Sequence, residues 1–125
     1  MFRHAKNILV TGAVAPMSDK TTKRIPDVVA SYISDPTQSV VVEYGAGTGN
    51  ITDALVEQDW NKVSCYEILP EFASLLQKKF AHKTHVQILQ KSAERVLEEH
   101  AEESVDAVVT TIPLSFLEDK IDRIL

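Results

Sequence analysis

The stretch that decides the fold is Val40–Asn50, which reads VVVEYGAGTGN. Its apolar β-branched residues run into an acid, Glu43, and then into a loop with glycines at positions 45, 47 and 49. Residues 51–58 follow with helical spacing. A buried strand that turns through glycines into a helix forms a nucleotide-sized pocket at the helix N-terminus. The stretch therefore predicts a nucleotide-binding strand–loop–helix unit, and a glycine-rich turn without a ligand is the alternative.

The spacing of the acid and the glycines separates two adenosine cofactors. A dinucleotide fingerprint reads G-x-G-x-x-G, whereas here the third glycine, Gly49, comes one position early and Asn50 stands in its place. Glu43 lies two residues before Gly45. Its charge would repel a pyrophosphate but would tolerate a cofactor that carries an ammonium and a sulfonium. The pattern E-x-G-x-G-x-G therefore favours S-adenosylmethionine over NAD.

Size and composition limit the classes of function. A chain of 125 residues holds one domain at most, and its net charge of −5 lacks the basic footprint of a nucleic-acid binder. A single cysteine, Cys65, excludes an internal disulfide and a cysteine-rich metal site. No metal site is predicted, and the scattered histidines are interpreted as surface residues: His4, His82, His85 and His100. Without a long apolar run or a secretory signal, a cytoplasmic location is expected.

Residues 2–10 combine apolar positions at helical spacing, Phe2, Ala5, Ile8 and Leu9, with basic residues between them. This pattern predicts a short amphipathic helix. Such a helix can make peripheral contact with a membrane or with an anionic partner. For so short a piece we favour the alternative, a terminal helix that frays or docks on the core.

The rest of the chain alternates strands with helices, which predicts an α/β fold with a doubly wound parallel sheet. Strands are predicted at 40–43, 62–67, 86–89 and 105–110, and helices from 18 or 19 to 33, at 50–58, 70–80 and 93–100, and within 116–125.

In a parallel sheet, ligands bind beyond the carboxyl ends of the strands. Glu67 ends the second strand, eighteen positions after Gly49, at the distance where an acid accepts hydrogen bonds from the ribose hydroxyls. Its alternative role is that of a solvated helix-capping acid. Ile68 beside it is expected to pack on the adenine.

Two further strand ends carry candidate residues. Ser92 and Ala93 follow the third strand, where a hydroxyl could bond the adenine amino group, although Ser92 could equally be a helix N-cap. Thr110–Phe116 follows the fourth strand and is where an acceptor would meet the methyl group. A plain strand-to-helix turn stiffened by Pro113 is the alternative.

Three segments, EYGAGTGNIT, CYEILPEF and VVTTIPLSF, resemble class I S-adenosylmethionine-dependent methyltransferases. The similarity is greatest to bacterial phospholipid N-methyltransferases and to ribosomal RNA adenine dimethyltransferases, and residues 12–18, GAVAPMS, resemble the phospholipid enzymes. The resemblance implies a Rossmann-like fold and cofactor contacts by Glu43, Gly45, Gly47 and Glu67. It also implies an acceptor loop around 111–114 and an N-terminal helix that touches lipid.

The chain departs from this family at several points. Thr111 and Leu114 stand where the adenine dimethyltransferases have an asparagine and an aromatic residue, which argues against a flipped base. Ser92 stands where relatives often place an aspartate. The family fold has seven strands, so the Rossmann-like sheet is expected to be truncated after its fourth strand. A fragment is one explanation; a homo-oligomer that covers an open edge beside the fourth strand is another.

These observations together predict an S-adenosylmethionine-dependent methyltransferase domain spanning residues 1–125, with a phospholipid head group of the phosphatidylethanolamine type or a related small amine as acceptor. An RNA or protein methyltransferase and a non-catalytic cofactor-binding module are the alternatives. The predicted cofactor contacts are Glu43, Tyr44, Gly45, Ala46, Gly47, Gly49, Glu67, Ile68, Ser92, Ala93 and Thr110, and the predicted catalytic positions are Thr111, Ile112, Pro113 and Leu114.

Overall fold

The fold is a parallel sheet with helices on both faces, as seen in a computed structural model that describes residues 7–10, 19–111 and 118–125. The strands are β1 (Asn7–Val10), β2 (Val40–Tyr44), β3 (Lys62–Tyr66), β4 (Val86–Leu89) and β5 (Ala107–Thr110), in the sheet order β1-β5-β2-β3-β4. The helices are α1 (Asp19–Ser31), α2 (Asn50–Leu55), α3 (Pro70–Lys79) and α4 (Glu118–Ile124), with 3₁₀ helices at Pro36–Gln38 and Ala93–Glu98. The predicted doubly wound α/β fold is confirmed.

Side-chain alternation along the strands divides the core into two layers. Alternate residues of β2, β3 and β5 point to the layer that α1, α2 and α3 cover, and the others point to the layer covered by α4 and the 3₁₀ helix 93–98. The first layer includes Ile25, Val41, Leu55, Val63, Leu76 and Val109, and the second includes Val42, Val96, Val108, Ile121 and Ile124. Burial on both sides explains why β2 and β5 are almost continuous apolar runs.

The predicted N-terminal helix is wrong over Asn7–Val10, which forms β1 and pairs in parallel with β5. Residues 2–6 lie outside the described residues. Pairing satisfies the backbone groups along the outer edge of β5, and this gain overrides the helical spacing of a short segment. The expected open edge beside the strand at 105–110 is therefore covered by the chain itself, so it gives no support to the predicted homo-oligomer.

The remaining predicted elements are present among the described residues, with ends that differ by up to three residues. The largest difference is at α2, which ends at Leu55 rather than at residue 58. Pro26 lies inside α1 and does not end it. Ser18 and residues 112–117 lie outside the described residues. Helix α1 is therefore described only from Asp19 onwards.

The third glycine of the loop has a packing role. Gly49 precedes α2 with φ at +92°, and a Cβ placed on it would lie 2.8 Å from Cδ2 of Leu76 in α3. Glycine therefore lets the start of α2 approach α3 closely. Burial of the Leu76 side chain, which is fully removed from solvent, stabilises the fold by about 2 kcal/mol.

Replacement of Gly49 by alanine is expected to lower the free energy of unfolding by about 2–5 kcal/mol. The left-handed backbone costs about 1–2 kcal/mol for a residue with a Cβ, and overpacking against Leu76 adds about 1–3 kcal/mol. Urea denaturation of the whole chain measures the change.

Gly47→Ala is the matched control, because Gly47 also has a positive φ, +59°, but a Cβ there meets no atom closer than a carbonyl oxygen at 4.0 Å. Its expected cost is the backbone term alone, about 1–2 kcal/mol. Equal losses in the two variants would contradict the packing role of Gly49.

Candidate cofactor site

The carboxyl ends of β2, β3 and β5 meet at one edge of the sheet. Tyr44, the last residue of β2, is in register with Tyr66 of β3 and with Thr110 of β5. The glycine loop, residues 45–49, leaves the sheet at this point. Its first two N–H groups, those of Gly45 and Ala46, both donate to the carbonyl of Tyr66 at 2.9 and 3.3 Å. The loop is therefore anchored to the end of the neighbouring strand.

Glu67 holds the next part of the loop. One carboxylate oxygen accepts the N–H of Gly47 at 2.7 Å, and the other accepts the N–H of Leu69 at 2.9 Å. The side chain is 6% exposed. A carboxylate has about four acceptor positions, so two backbone donors leave capacity for further donors. Glu67 is thus placed to position the loop and also to accept hydroxyl groups at the edge of the sheet.

The space above Gly47 suits a ligand that lies close to the backbone. An added Cβ at Gly47 would have only the carbonyl oxygen of Gly45 within 4 Å, at that limiting distance. An open cradle beside an acid that can accept two hydroxyls is the arrangement that the ribose of S-adenosylmethionine requires. The residues present fit this cofactor.

Glu43 lies beneath the loop and is 1% exposed. One of its carboxylate oxygens accepts the hydroxyl of Thr52 in α2 at 2.5 Å and the thiol of Cys65 at 3.7 Å. Burial raises the pKa of Glu43 to about 7; the two hydrogen bonds oppose this shift, and the charge of Glu67 adds to it. In this arrangement Glu43 ties β2 to α2 below the loop, and its predicted direct contact with the cofactor remains a prediction.

Several other predicted cofactor contacts also have buried side chains. These residues are Tyr44, Ala46, Ala93 and Thr110, none more than 6% exposed. Ile68, by contrast, is 65% exposed next to Glu67, where an adenine ring could cover it. Ser92 caps the 3₁₀ helix 93–98 by accepting the N–H of Glu94 at 3.2 Å; its adenine contact remains a prediction.

The predicted acceptor loop begins at Thr111, which is joined to the glycine loop. Its hydroxyl donates to the carbonyl of Gly45 at 3.2 Å, and its N–H donates to the carbonyl of Tyr44 at 3.4 Å. The start of the predicted acceptor loop is therefore fixed to the glycine loop and to the end of β2. The other predicted catalytic positions, Ile112, Pro113 and Leu114, lie outside the described residues.

Three polar side chains within residues 99–106 are buried or half-buried. Glu99 accepts the hydroxyl of Tyr66 at 3.1 Å and the ammonium of Lys91 at 2.6 Å, and Asp106 accepts the N–H of Val40 at 2.9 Å. His100 is 5% exposed, and burial lowers its pKa. The interpretation of His100 as a surface residue is therefore wrong.

No group of three or more His, Cys, Asp or Glu side chains among the described residues could hold a metal ion. No helix in the same part of the chain is long and apolar enough to cross a membrane.

A groove of about 210 Å³ lies between α1 and α2 and is lined by Thr22, Lys23, Asn50, Asp53, Ala54 and Glu57. It contains none of the predicted cofactor residues.

The sequence of residues 41–125 matches the family described as "Methyltransferase domain". This chain belongs to that family. The glycine loop, Glu67 and Thr111 all fall within the matched part. The resemblance to S-adenosylmethionine-dependent methyltransferases is thereby confirmed, and with it the cofactor predicted from the glycine loop.

Individual relatives extend the comparison of this methyltransferase domain. An ornithine lipid N-methyltransferase from Singulisphaera acidiphila is 28% identical over 127 residues, which cover 98% of this chain and 62% of the relative. The chain thus spans less than two thirds of that protein's length. The phosphoethanolamine N-methyltransferase 1 of Haemonchus contortus, solved with phosphoethanolamine and S-adenosylhomocysteine, is 25% identical with a TM-score of 0.55, covering 79% of this chain and 20% of that one.

A tRNA methyltransferase from Aquifex aeolicus has a higher TM-score, 0.71, and covers 93% of this chain and 46% of that chain. Its identity to this chain is 18%. At that level of identity the similarity establishes a shared fold. It therefore supports the Rossmann-like architecture of the methyltransferase domain and carries no information on the acceptor.

The stability of this methyltransferase domain is expected to depend on the protonation of Glu43. The folded chain raises the pKa of Glu43 from 4.5 to about 7, so it keeps a proton that the unfolded chain loses between these values. This contribution to stability is therefore complete below pH 4.5 and is lost as the pH rises towards 7, by about 3 kcal/mol at most. Urea denaturation at pH 4.5 and pH 7.5 measures the loss.

Glu43→Gln, which cannot ionise, should remove this part of the pH dependence. The exposed Glu71→Gln in the first turn of α3 is the control and should retain it. An unchanged pH profile in Glu43→Gln would contradict the assignment.

Proposed function

We propose that this chain is the cofactor-binding part of a methyltransferase that transfers a methyl group from S-adenosylmethionine to the amine of a lipid head group. The acceptor is of the phosphatidylethanolamine type or a related small amine. The observation that carries the proposal is the alignment of 98% of the chain with a lipid N-methyltransferase. The similarity to a phosphoethanolamine N-methyltransferase supports the same acceptor class, because both relatives act on amines.

The roles proposed for the cofactor residues follow from their positions. Glu67 accepts the ribose hydroxyls while it holds the N–H of Gly47. The exposed Ile68 packs on the adenine, and the hydroxyl of Ser92 and the backbone of Ala93 face its amino group. Backbone atoms of the glycine loop line the path towards the methionine part of the cofactor.

The proposed chemistry makes few demands on side chains. S-adenosylmethionine would supply a methyl group on a sulfonium: the lone pair of a neutral amine would form the new N–C bond, the electrons of the broken S–C bond would remain on sulfur, and the methylated ammonium would lose its proton to bulk water after it leaves the site. The chain contributes by placing the acceptor in line and by excluding water. Thr111, fixed to Gly45 and Tyr44, sets where the acceptor loop begins.

The RNA alternative has less support. The chain is acidic overall, with a net charge of −5, whereas proteins that bind nucleic acids usually present basic surfaces. Thr111 occupies the position where the resemblance to adenine dimethyltransferases calls for an asparagine. A protein acceptor is tested by the same methyl-transfer assay as the lipid and RNA acceptors.

Glu67→Gln is expected to weaken S-adenosylmethionine binding about 10-fold to 100-fold. A glutamine side chain has one carbonyl oxygen in place of two carboxylate oxygens, so one of the two backbone donors loses its acceptor. The ribose also loses a charged acceptor. A hydrogen bond to a charged group contributes about 1.5–3 kcal/mol. Isothermal titration calorimetry measures the dissociation constant. Glu71→Gln, four residues further along, should bind as the native chain does, and equal binding by both variants would contradict the role of Glu67.

The acceptor class is tested by methyl transfer from labelled S-adenosylmethionine. We expect label in a short-chain, monomeric phosphatidylethanolamine and none in ribosomal RNA or in a protein extract. Label in RNA or protein alone would overturn the proposed acceptor. Binding of the cofactor without transfer to any acceptor would favour a non-catalytic cofactor-binding module.

A further inference from the structure

The paired part of β3 and β4 stops short of the residues proposed to hold the adenosine. The last residues in register are Tyr66 and Leu89, and the N–H of Glu67 donates to the carbonyl of Leu89 at 3.0 Å. Ser92, which is proposed to face the adenine, lies three residues beyond Leu89. Strand pairing alone therefore does not fix the position of Ser92 relative to Glu67.

The side chain of Glu99 bridges these two strand ends. One carboxylate oxygen accepts the hydroxyl of Tyr66, the last residue of β3, at 3.1 Å. The other accepts the ammonium of Lys91, directly before Ser92, at 2.6 Å. Glu99 is also the C-cap residue of the 3₁₀ helix 93–98, and Ser92 is its N-cap. One carboxylate thus ties the end of β3 to both ends of the helical segment that follows β4.

The bridge is largely shielded from solvent. Tyr66 is 1% exposed, and the side chains of Lys91 and Glu99 are 24% and 15% exposed. Partly buried charges are screened less than exposed ones, and a hydrogen bond between charged groups is stronger than one between neutral groups. Lys91 also lies 3.3 Å from Glu98, an acid that pairs more closely with Arg95, at 2.6 Å. Glu99 is therefore the closer and better shielded partner of Lys91.

The residues that the bridge joins adjoin both proposed adenosine contacts. Tyr66 precedes Glu67, and its carbonyl accepts the first two N–H groups of the glycine loop. Lys91 precedes Ser92. A binding site loses affinity when its side chains are not held within about 0.5 Å of their productive positions by the residues behind them. Loss of the bridge would free the helical segment from β3 and so change the distance between the proposed ribose and adenine contacts.

We propose that Glu99 is a positioning residue for the cofactor. Its bridge from Tyr66 to Lys91 sets the distance between the end of β3 and the segment after β4, and that distance fits the site to adenosine. The inference rests on the proposed function, in which Glu67 holds the ribose and Ser92 faces the adenine. Glu99 does not touch the ligand and acts only through the residues that it joins.

A double-mutant cycle tests the bridge, with the dissociation constant of S-adenosylhomocysteine measured by isothermal titration calorimetry. Tyr66→Phe removes one half of the bridge and Lys91→Met removes the other, and both replacements keep the approximate size of the side chain. We expect each single variant to bind about 3-fold to 10-fold more weakly than the native chain, as for members of one network. The double variant should bind no more weakly than the weaker single variant, because breaking either half already disconnects the two ends.

Arg95→Met is the matched control. Arg95 lies on the same 3₁₀ helix, and its pair with Glu98 is contained within that helix. We expect this variant to bind S-adenosylhomocysteine as the native chain does. Urea denaturation measures the free energy of unfolding of every variant and shows whether each is folded. Lys91 is at the surface, so the comparison of Lys91→Met with Arg95→Met stands even if the buried Tyr66→Phe does not fold.

A purely structural role would lower the free energy of unfolding in the bridge variants and leave the dissociation constant at its native value. That result would overturn the inference, as would losses of affinity that multiply in the double variant, or an equal loss in Arg95→Met. In each of these cases the native chain still binds S-adenosylhomocysteine, and the proposed function stands. A native chain that does not bind S-adenosylhomocysteine would refute the proposed function and the inference together.

Discussion

The carboxylate of Glu67 is the interaction on which the candidate site depends. It joins three elements, because it follows β3, accepts the N–H of Gly47 in the glycine loop and accepts the N–H of Leu69 at the start of α3. The carbonyl of Tyr66, one residue earlier, accepts the first two N–H groups of the same loop. The residue that shapes the loop is therefore also the one proposed to hold the ribose. A change that moves the end of β3 is therefore expected to move the glycine loop and the proposed ribose site together.

A second acid supports this arrangement from below. Glu43 is buried where β2 ends and accepts the hydroxyl of Thr52 in α2. One carboxylate thus bonds to the glycine loop and the other to the helix that follows it, and burial together with the charge of Glu67 favours the neutral form of Glu43. The same residue type serves different purposes here, since the acid at the rim can meet a ligand and the buried acid ties a strand to a helix.

Much of the fold and the outline of the site could be predicted from the sequence, because glycine spacing and apolar runs report local backbone geometry. The strand–loop–helix at residues 40–58 and the acid at position 67 are examples. The direction of the Glu43 side chain, the bond between Glu99 and Tyr66, and the pairing of Asp106 with Val40 could not be predicted, because each depends on a partner from another part of the fold. Residues 7–10 fit both helical and strand patterns, and only the available edge of β5 decides between them.

The central claim is that the cofactor binds where Glu67 joins the glycine loop to β3 and α3. The most direct measurement is an amide NMR titration of the isotope-labelled chain with S-adenosylhomocysteine. The account predicts the largest shifts at the N–H groups of Gly47 and Leu69, with little change at Thr22 and Ala54 in the groove between α1 and α2. Shifts confined to that groove, with Gly47 and Leu69 unmoved, would contradict it.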